Sequence, residues 1–430
     1  MSSSEVSPNA PLQGLRVLDL TRLLPGPVAT LRLAELGAGV LKIEAPAGAG
    51  DEARKMMLSA ADRLAGRPGA FYRIVNRGKR ETKLDLKSEA GRKVLGALAR
   101  EADVLIESFR PGVMARLGVG YDALHAINPK LVYCSISGYG AHGPLAARPG
   151  HDLNYIAYAG VLDQLSSRDG VPVLPNFQIA DLLGGALTAV TQILAALWQV
   201  ARGGEGRFID VSMTHSSYSN NVVAHIALAN LRADQERAAA ATGGKPVPAP
   251  VDATRAGQGL LNGGVPCYNL YRTLDGRWLA VAALELKFWE TFCTAVGQPG
   301  WAARHWSQGQ AIGGPDAAAL MHDVEALIAK KPLDEWVALL EPLDCCVSPV
   351  LTPEEASQHR LFDPHAPDED DEFADLDLDA TDDDTTAPTP HDEAAHAAPS
   401  DEARAAQQAP QAEVQPQSTN PWHTTLQRFK

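Results

Sequence analysis

The stretch GLRVLDLTRLLPGPVATLRLAELGAGVLKIE, residues 14–44, decides the fold. Leu15 to Leu20 (LRVLDL) is a short β-branched and apolar run, Pro27 to Leu36 places apolar residues at helical spacing, and Val40 to Glu44 (VLKIE) is a second short run. Two strands joined by one helix predict a parallel βαβ unit. Further along, helix Lys87 to Arg100, strand Val104 to Glu107 and strand Leu131 to Ile136 continue the alternation. The fold class is therefore α/β, with a large Rossmann-like domain built on an open, mainly parallel sheet. No GxGxxG follows the first strand, so the pattern carries no dinucleotide fingerprint.

The apolar run from Asp181 to Val200 is too long and too periodic for a strand and predicts a buried helix with Asp181 in its first turn. A Gly-rich break at 203–206 leads to a strand from Phe208 to Val211, and residues 239–264 read as a mobile loop rich in Gly, Ala and Pro. Pro266 to Leu284 reads as a hairpin turning at Asp275-Gly276, the seed of a smaller α+β domain. The expected division is 11–215 with 320–362 as the large domain and 216–319 as the small one. Residues 363–430 form an acidic, low-complexity tail, too poor in apolar surface to offset the entropy of ordering and so expected to be disordered.

Composition narrows the function classes. The 430 residues carry 38 Lys and Arg against 52 Asp and Glu, a net charge of −14. Residues 361–430 hold 17 acidic and 3 basic side chains, so the rest balances at 35 against 35. A nucleic-acid partner is not expected, because it would need a basic stripe to displace counterions from phosphates. A small anionic ligand held by a few placed Arg and Lys is compatible. Cys134, Cys267, Cys293, Cys345 and Cys346 show neither a CxxC pair nor a His cluster at metal spacing, so reduced thiols and no metal are expected. The polar N-terminus, the lack of an 18-residue apolar run and the ending Arg428-Phe429-Lys430 predict a cytoplasmic protein without membrane association.

Residues 14–44, NRGKRETKLDLK (76–87), DVLIESFRPGVMARLGVGYDAL (103–124) and SISGYGAHGP (135–144) follow one another in a known order. In these the chain resembles the type III CoA-transferase (CaiB/BaiF) superfamily, over about residues 11–360. GHDLNY (150–155), and LLNGGVPCYNLY (260–271) followed by Ala282-Ala283-Leu284-Glu285, resemble its α-methylacyl-CoA racemase branch. Transferases of the superfamily usually lack that histidine, and many carry a glycine-rich loop in place of LLNGG. The resemblance implies an acyl-CoA substrate, with coenzyme A as part of the thioester and no permanently bound cofactor. It also implies an interlocked homodimer, each subunit threading the ring of the other. Lys42, Arg77, Lys79, Arg80 and Arg110 fall in the segments that line the CoA pocket in the family, where cations would clamp phosphates. The Arg22 to Pro27 turn would shape the adenine end.

For the racemase branch the chemistry is 1,1-proton transfer at the α-carbon of a thioester. One group removes a proton from one face, another delivers one to the opposite face, and the enolate between them is stabilised. A histidine and a carboxylate suit this, since each can be tuned toward neutral pH. The resemblance assigns these roles to His151 and Asp181, whose separation of 30 residues matches that of the two bases in the racemases. Glu285 is carried over as the residue orienting His151, reaching it from the other domain or across the dimer interface. Asp152 is a second candidate for steadying the histidine, and Asn154 and Tyr155 complete the network. Without the resemblance, an Asp in a first helical turn is a cap and a His beside an Asp is a loop hydrogen-bonder.

Two rival functions stand beside this one. In a CoA transferase, Asp181 is a nucleophile that forms a mixed anhydride and then an aspartyl-CoA thioester. In a non-catalytic scaffold, the acidic tail is an interaction arm.

Overall fold

Strands β1 (Arg16–Leu20), β2 (Gly39–Glu44), β3 (Arg80–Lys83), β4 (Val104–Glu107), β5 (Val132–Ser137) and β6 (Phe208–Ser212) form one sheet in the order β3-β2-β1-β4-β5-β6. Every ladder in it is parallel. This is a computed structural model, and it describes residues 10–46, 50–166, 170–241, 256–362 and Trp422. Alternating side chains feed two cores, one on each face. Val17, Val40, Val104 and Val132 pack with helices Pro25–Glu35 and Thr188–Ala201. Leu18, Leu41, Leu105 and Tyr133 pack with helices Glu89–Glu101 and Tyr121–Ile127. Covered on both sides, β2, β4 and β5 are buried at every position, as parallel strands require. The edge strand β3 alternates half-buried and exposed, and its polar RETK sequence gave no strand signal.

The expected hairpin is present. Strands β7 (Tyr268–Arg272) and β8 (Trp278–Ala282) pair antiparallel from Tyr268 opposite Ala282 to Arg272 opposite Trp278. Gly276 occupies the turn at φ +78°, where a side chain would be strained. A third core forms here from Tyr271, Leu279, Trp289 and Phe292. The sequence reading returned residues 320–362 to the large domain. Instead Leu320, Val324, Ile328, Trp336, Leu340 and Cys345 bury in this hairpin core, because helices Pro315–Ile328 and Leu333–Leu340 turn their apolar faces to it. Helix Val222–Ala241 extends into the segment read as a loop, 256–264 forms turns, and 242–255 lies outside the described residues. Among the described residues one helical stretch, Ala180–Ala201, is long and apolar enough to cross a membrane, by length and composition. Its Ala186, Ala189 and Ile193 pack in the core of the first sheet face.

From Pro349 onward a separate unit is described as far as Phe362, with helix Pro353–Gln358 closed by a reciprocal cap between Thr352 and Glu355. Residues 363–421, on which most of the disordered-tail expectation falls, lie outside the described residues. Trp422 does not. It is fully buried in the second sheet core, donates its indole N–H to the Gly39 carbonyl at 2.8 Å, and lies 5.8 Å beneath the Arg16 guanidinium. The chain returns to the large sheet at this residue. Trp422→Ala is expected to lower the free energy of unfolding by about 3–5 kcal/mol, the cost of deleting a buried Trp side chain. Urea denaturation of the full chain checks this, with truncation before residue 418 giving a loss of similar size.

Candidate active site

The strand order runs outward in both directions from the β1–β4 pair, so the loops that follow these two strands leave the sheet on opposite sides. A crevice opens between them at the carboxyl ends, the position where open α/β sheets bind ligands. Two cavities occupy it. The larger, of about 620 Å³, is walled by Leu23 after β1, Arg110 after β4, Gly138 after β5, and His151, Tyr155 and Asp181. The smaller, of about 280 Å³, lies over the ends of β1 and β2 and reaches Leu84 to Lys87. Arg22 and Phe109 line both, and the Arg22 guanidinium sits 5.4 Å from the Phe109 ring centroid.

Asp181 enters the larger cavity from the opening turn of the long apolar helix. That helix starts as a π-helical stretch, Ala180–Leu187, and becomes α-helical at Thr188. π-helical turns are rare and occur frequently at functional sites. Close packing explains the glycine in it: a Cβ on Gly184 would lie 2.7 Å from both the Met213 carbonyl and the Ser217 hydroxyl. The helix can therefore lie directly on helix Met213–Asn220. Burial, reinforced by the charge of Asp152, pushes the Asp181 carboxyl up to about 7.

His151 precedes helix Asp152–Tyr158, and its backbone N–H donates to Asn154 Oδ1 at 3.0 Å. The residue is exposed toward the cavity. Behind it Tyr155 donates its hydroxyl to the Gly150 carbonyl and meets Tyr139 edge-on at 5.2 Å. A Cβ on Gly138 would sit 2.3 Å from the Tyr155 ring, so glycine there is a steric requirement.

The predicted site residues divide sharply. His151, Asp181 and Arg110 share one cavity. Asp152, a candidate for steadying the histidine, has its Oδ1 accepting the backbone N–H of Asp181 at 2.9 Å, in the opening turn of the long apolar helix. Glu285 is exposed, next to helix Leu286–Ala295, and is not part of the cavity wall. Lys42 and Lys79, read as phosphate clamps, have fully buried side chains already paired with carboxylates. Lys42 Nζ lies 3.2 Å from Asp51 Oδ2 and donates to the Thr21 carbonyl at 3.0 Å. Lys79 Nζ donates to Asp19 Oδ2 at 3.1 Å, the Pro27 carbonyl at 2.8 Å and Asn76 Oδ1 at 2.9 Å. Burial alone would raise Asp19, but Lys79 and Lys42, with Thr21 and Thr30, hold it well below the usual carboxylate range. Arg77 pairs with Glu35 on the exterior, and Arg80 lies in the edge strand β3. Sequence reasoning missed Arg148, which lines the larger cavity, and the part Phe109 plays in both. Position just after a strand end was the available signal for Phe109.

A parallel doubly wound sheet whose crevice holds, in one cavity lined by arginines, a histidine and a carboxyl raised to about 7 has the architecture of an α/β enzyme. The chain belongs to CoA-transferase family III, whose model matches residues 12–366. It is 33% identical to human alpha-methylacyl-CoA racemase over 351 residues, 81% of this chain and 80% of the relative. It is also 34% identical over 340 residues to the probable fatty acyl-CoA transferase Rv3272 of Mycobacterium tuberculosis, 78% of this chain and 81% of that protein. A crystal structure of a mutant of Rv3272 superposes with a TM-score of 0.66 at 29% identity, covering 82% of this chain and 85% of that one. Racemases and transferases thus stand at similar distance.

Asp152→Asn keeps an oxygen for the cap and removes a negative charge beside Asp181. The acidic limb of kcat/KM against pH, centred near 7 in the wild type if ionised Asp181 is needed, is expected to move down by about half a unit or more. A pH–rate series on both proteins measures it.

Proposed function

We propose that the protein epimerises the α-carbon of 2-methylacyl-CoA thioesters by two-base proton transfer through an enolate, with His151 and Asp181 as the two bases. The observation that carries this reading is a carboxyl lifted to about 7 in the same cavity as a histidine. A group half-ionised at neutral pH serves as base in one direction and acid in the other. Coenzyme A would lie along the crevice, its nucleotide end toward the smaller cavity. Arg22 and Arg110 would meet its phosphates in place of the two buried lysines. Glu285 enters this reading only as a residue supplied by a partner subunit.

A second reading has its own support in the relative named as a fatty acyl-CoA transferase. Asp181 would then attack the acyl-CoA carbonyl, expel CoA as thiolate and form an acyl anhydride, which the thiolate converts to an aspartyl thioester as the carboxylate leaves. Incubation of an (R)-2-methylacyl-CoA in deuterated water separates the two. The racemase reading expects α-deuterium with inversion, reduced about 100-fold or more in both His151→Ala and Asp181→Asn. Acyl exchange with a free carboxylic acid, without α-exchange and insensitive to His151→Ala, would establish the transferase instead.

The same reading includes a homodimer. Among the described residues, helix Val222–Ala241 has no buried residue along its 20 positions and exposes Val222, Val223 and Ile226, an apolar surface that the described cores leave uncovered. Light scattering of the full chain is expected to give twice the monomer mass of 45.7 kDa. A stable monomer at assay concentration contradicts the dimer.

A further inference from the structure

We infer that the buried Lys42–Asp51 pair is a positioning device for the ligand, holding the Thr21–Leu23 backbone and, through it, Arg22 on the wall common to both cavities. The inference rests on the reading of the crevice as a CoA-ester site. Leu23 has φ +64°, a left-handed conformation that a leucine adopts only when its surroundings impose it. The imposing contacts are all present. Asp51 Oδ1 accepts the Leu23 N–H at 3.1 Å and the Ala53 N–H at 3.0 Å. Lys42 Nζ donates to the Thr21 carbonyl at 3.0 Å while its charge faces Asp51 Oδ2. Asp19 Oδ1 accepts the Thr21 N–H at 2.9 Å, and Ser108 Oγ accepts the Arg22 N–H at 3.2 Å.

Asp51 is itself anchored. Its N–H donates to Glu44 Oε2 at 3.2 Å, and Glu44 is paired with Arg54 at 2.8 Å. The chain from Thr21 to Leu23 is therefore gripped at each residue by side chains from β1, from β2, from the loop after β2 and from the loop after β4. Leu23 faces the larger cavity, Thr21 and Asp51 the smaller, and Arg22 both. Two charges with fully buried side chains thus fix where an exposed guanidinium stands. Such groups, held by packing and hydrogen bonds behind the contact residue, set the precision of a binding site.

The test is calorimetric titration of the full chain with coenzyme A. Lys42→Met/Asp51→Leu, which removes both charges together, is expected to raise the Kd about tenfold, as is Arg22→Ala. Combining all three is expected to give no more than either alone, since the pair acts through Arg22. Asp51→Asn, which retains an oxygen for the Leu23 N–H, restores binding to within about threefold of wild type. Should the double variant not fold, Asp51→Ala takes its place with the same tenfold expectation. Wild-type protein that fails to bind coenzyme A sinks the CoA-ester reading itself. Wild-type protein that binds, with Lys42→Met/Asp51→Leu binding equally well, overturns the positioning role alone. A loss of about a hundredfold in the combined variant also overturns it, because additive effects mean the pair and Arg22 act separately.

Discussion

Four charges, Asp19, Lys42, Asp51 and Lys79, lie buried at the head of the parallel sheet, and the geometry of the crevice depends on them. Withdrawing each from water costs several kcal/mol, and their mutual attraction repays this only with good geometry and further hydrogen bonds. Those bonds exist, from Thr21, Thr30, Asn76 and the backbone of the β1 loop. An apolar quartet of similar volume would fill the space without directing anything. The ionic one offers donors and acceptors that hold the loop backbone after β1, so its contribution is directional.

The second constraint is the burial of Asp181. Its carboxyl receives little direct hydrogen bonding, and Asp152, which caps the same helix, adds negative charge nearby. A first-turn carboxylate normally gains from the helix N-terminus. Here desolvation outweighs that gain, and the group titrates near neutrality. Asp152 secures the backbone that carries Asp181 and at the same time makes its carboxyl hold a proton more tightly, a weaker acid and a stronger base. Burial has moved Asp152 in the same direction, against two backbone hydrogen bonds that favour its charged form.

Much of the large domain was legible because its periodicities are strong: buried parallel strands read as short apolar runs and the Asp181 helix as one long run. The motif order gave the family and, with it, the two residues that share the cavity. The functions of Lys42 and Lys79 were not legible from motif position alone. A lysine inside VLKIE was nonetheless a clue, since a strand buried on both faces cannot hold an ammonium without a buried partner, and Asp51 lies nine residues on. The address of helices 315–340 was also hidden, because an amphipathic pattern shows that a face is buried and not against which core. Trp422 is the only tryptophan in the tail, but its partner, the Gly39 carbonyl, lies 383 positions away.

The two proposed activities meet at the same carboxyl, so the discriminating physics is what each reaction asks of it. A nucleophile must be ionised when substrate arrives, and a pKa near 7 keeps about half of it protonated at neutral pH. A two-base racemase needs its carboxyl ionised for one hand of substrate and protonated for the other, and the same pKa populates both forms. Half-ionisation costs an attacking carboxylate only about a factor of two, and it serves a two-base exchange in both directions. His151 in the same cavity supplies a second proton-transfer group that the anhydride route does not use.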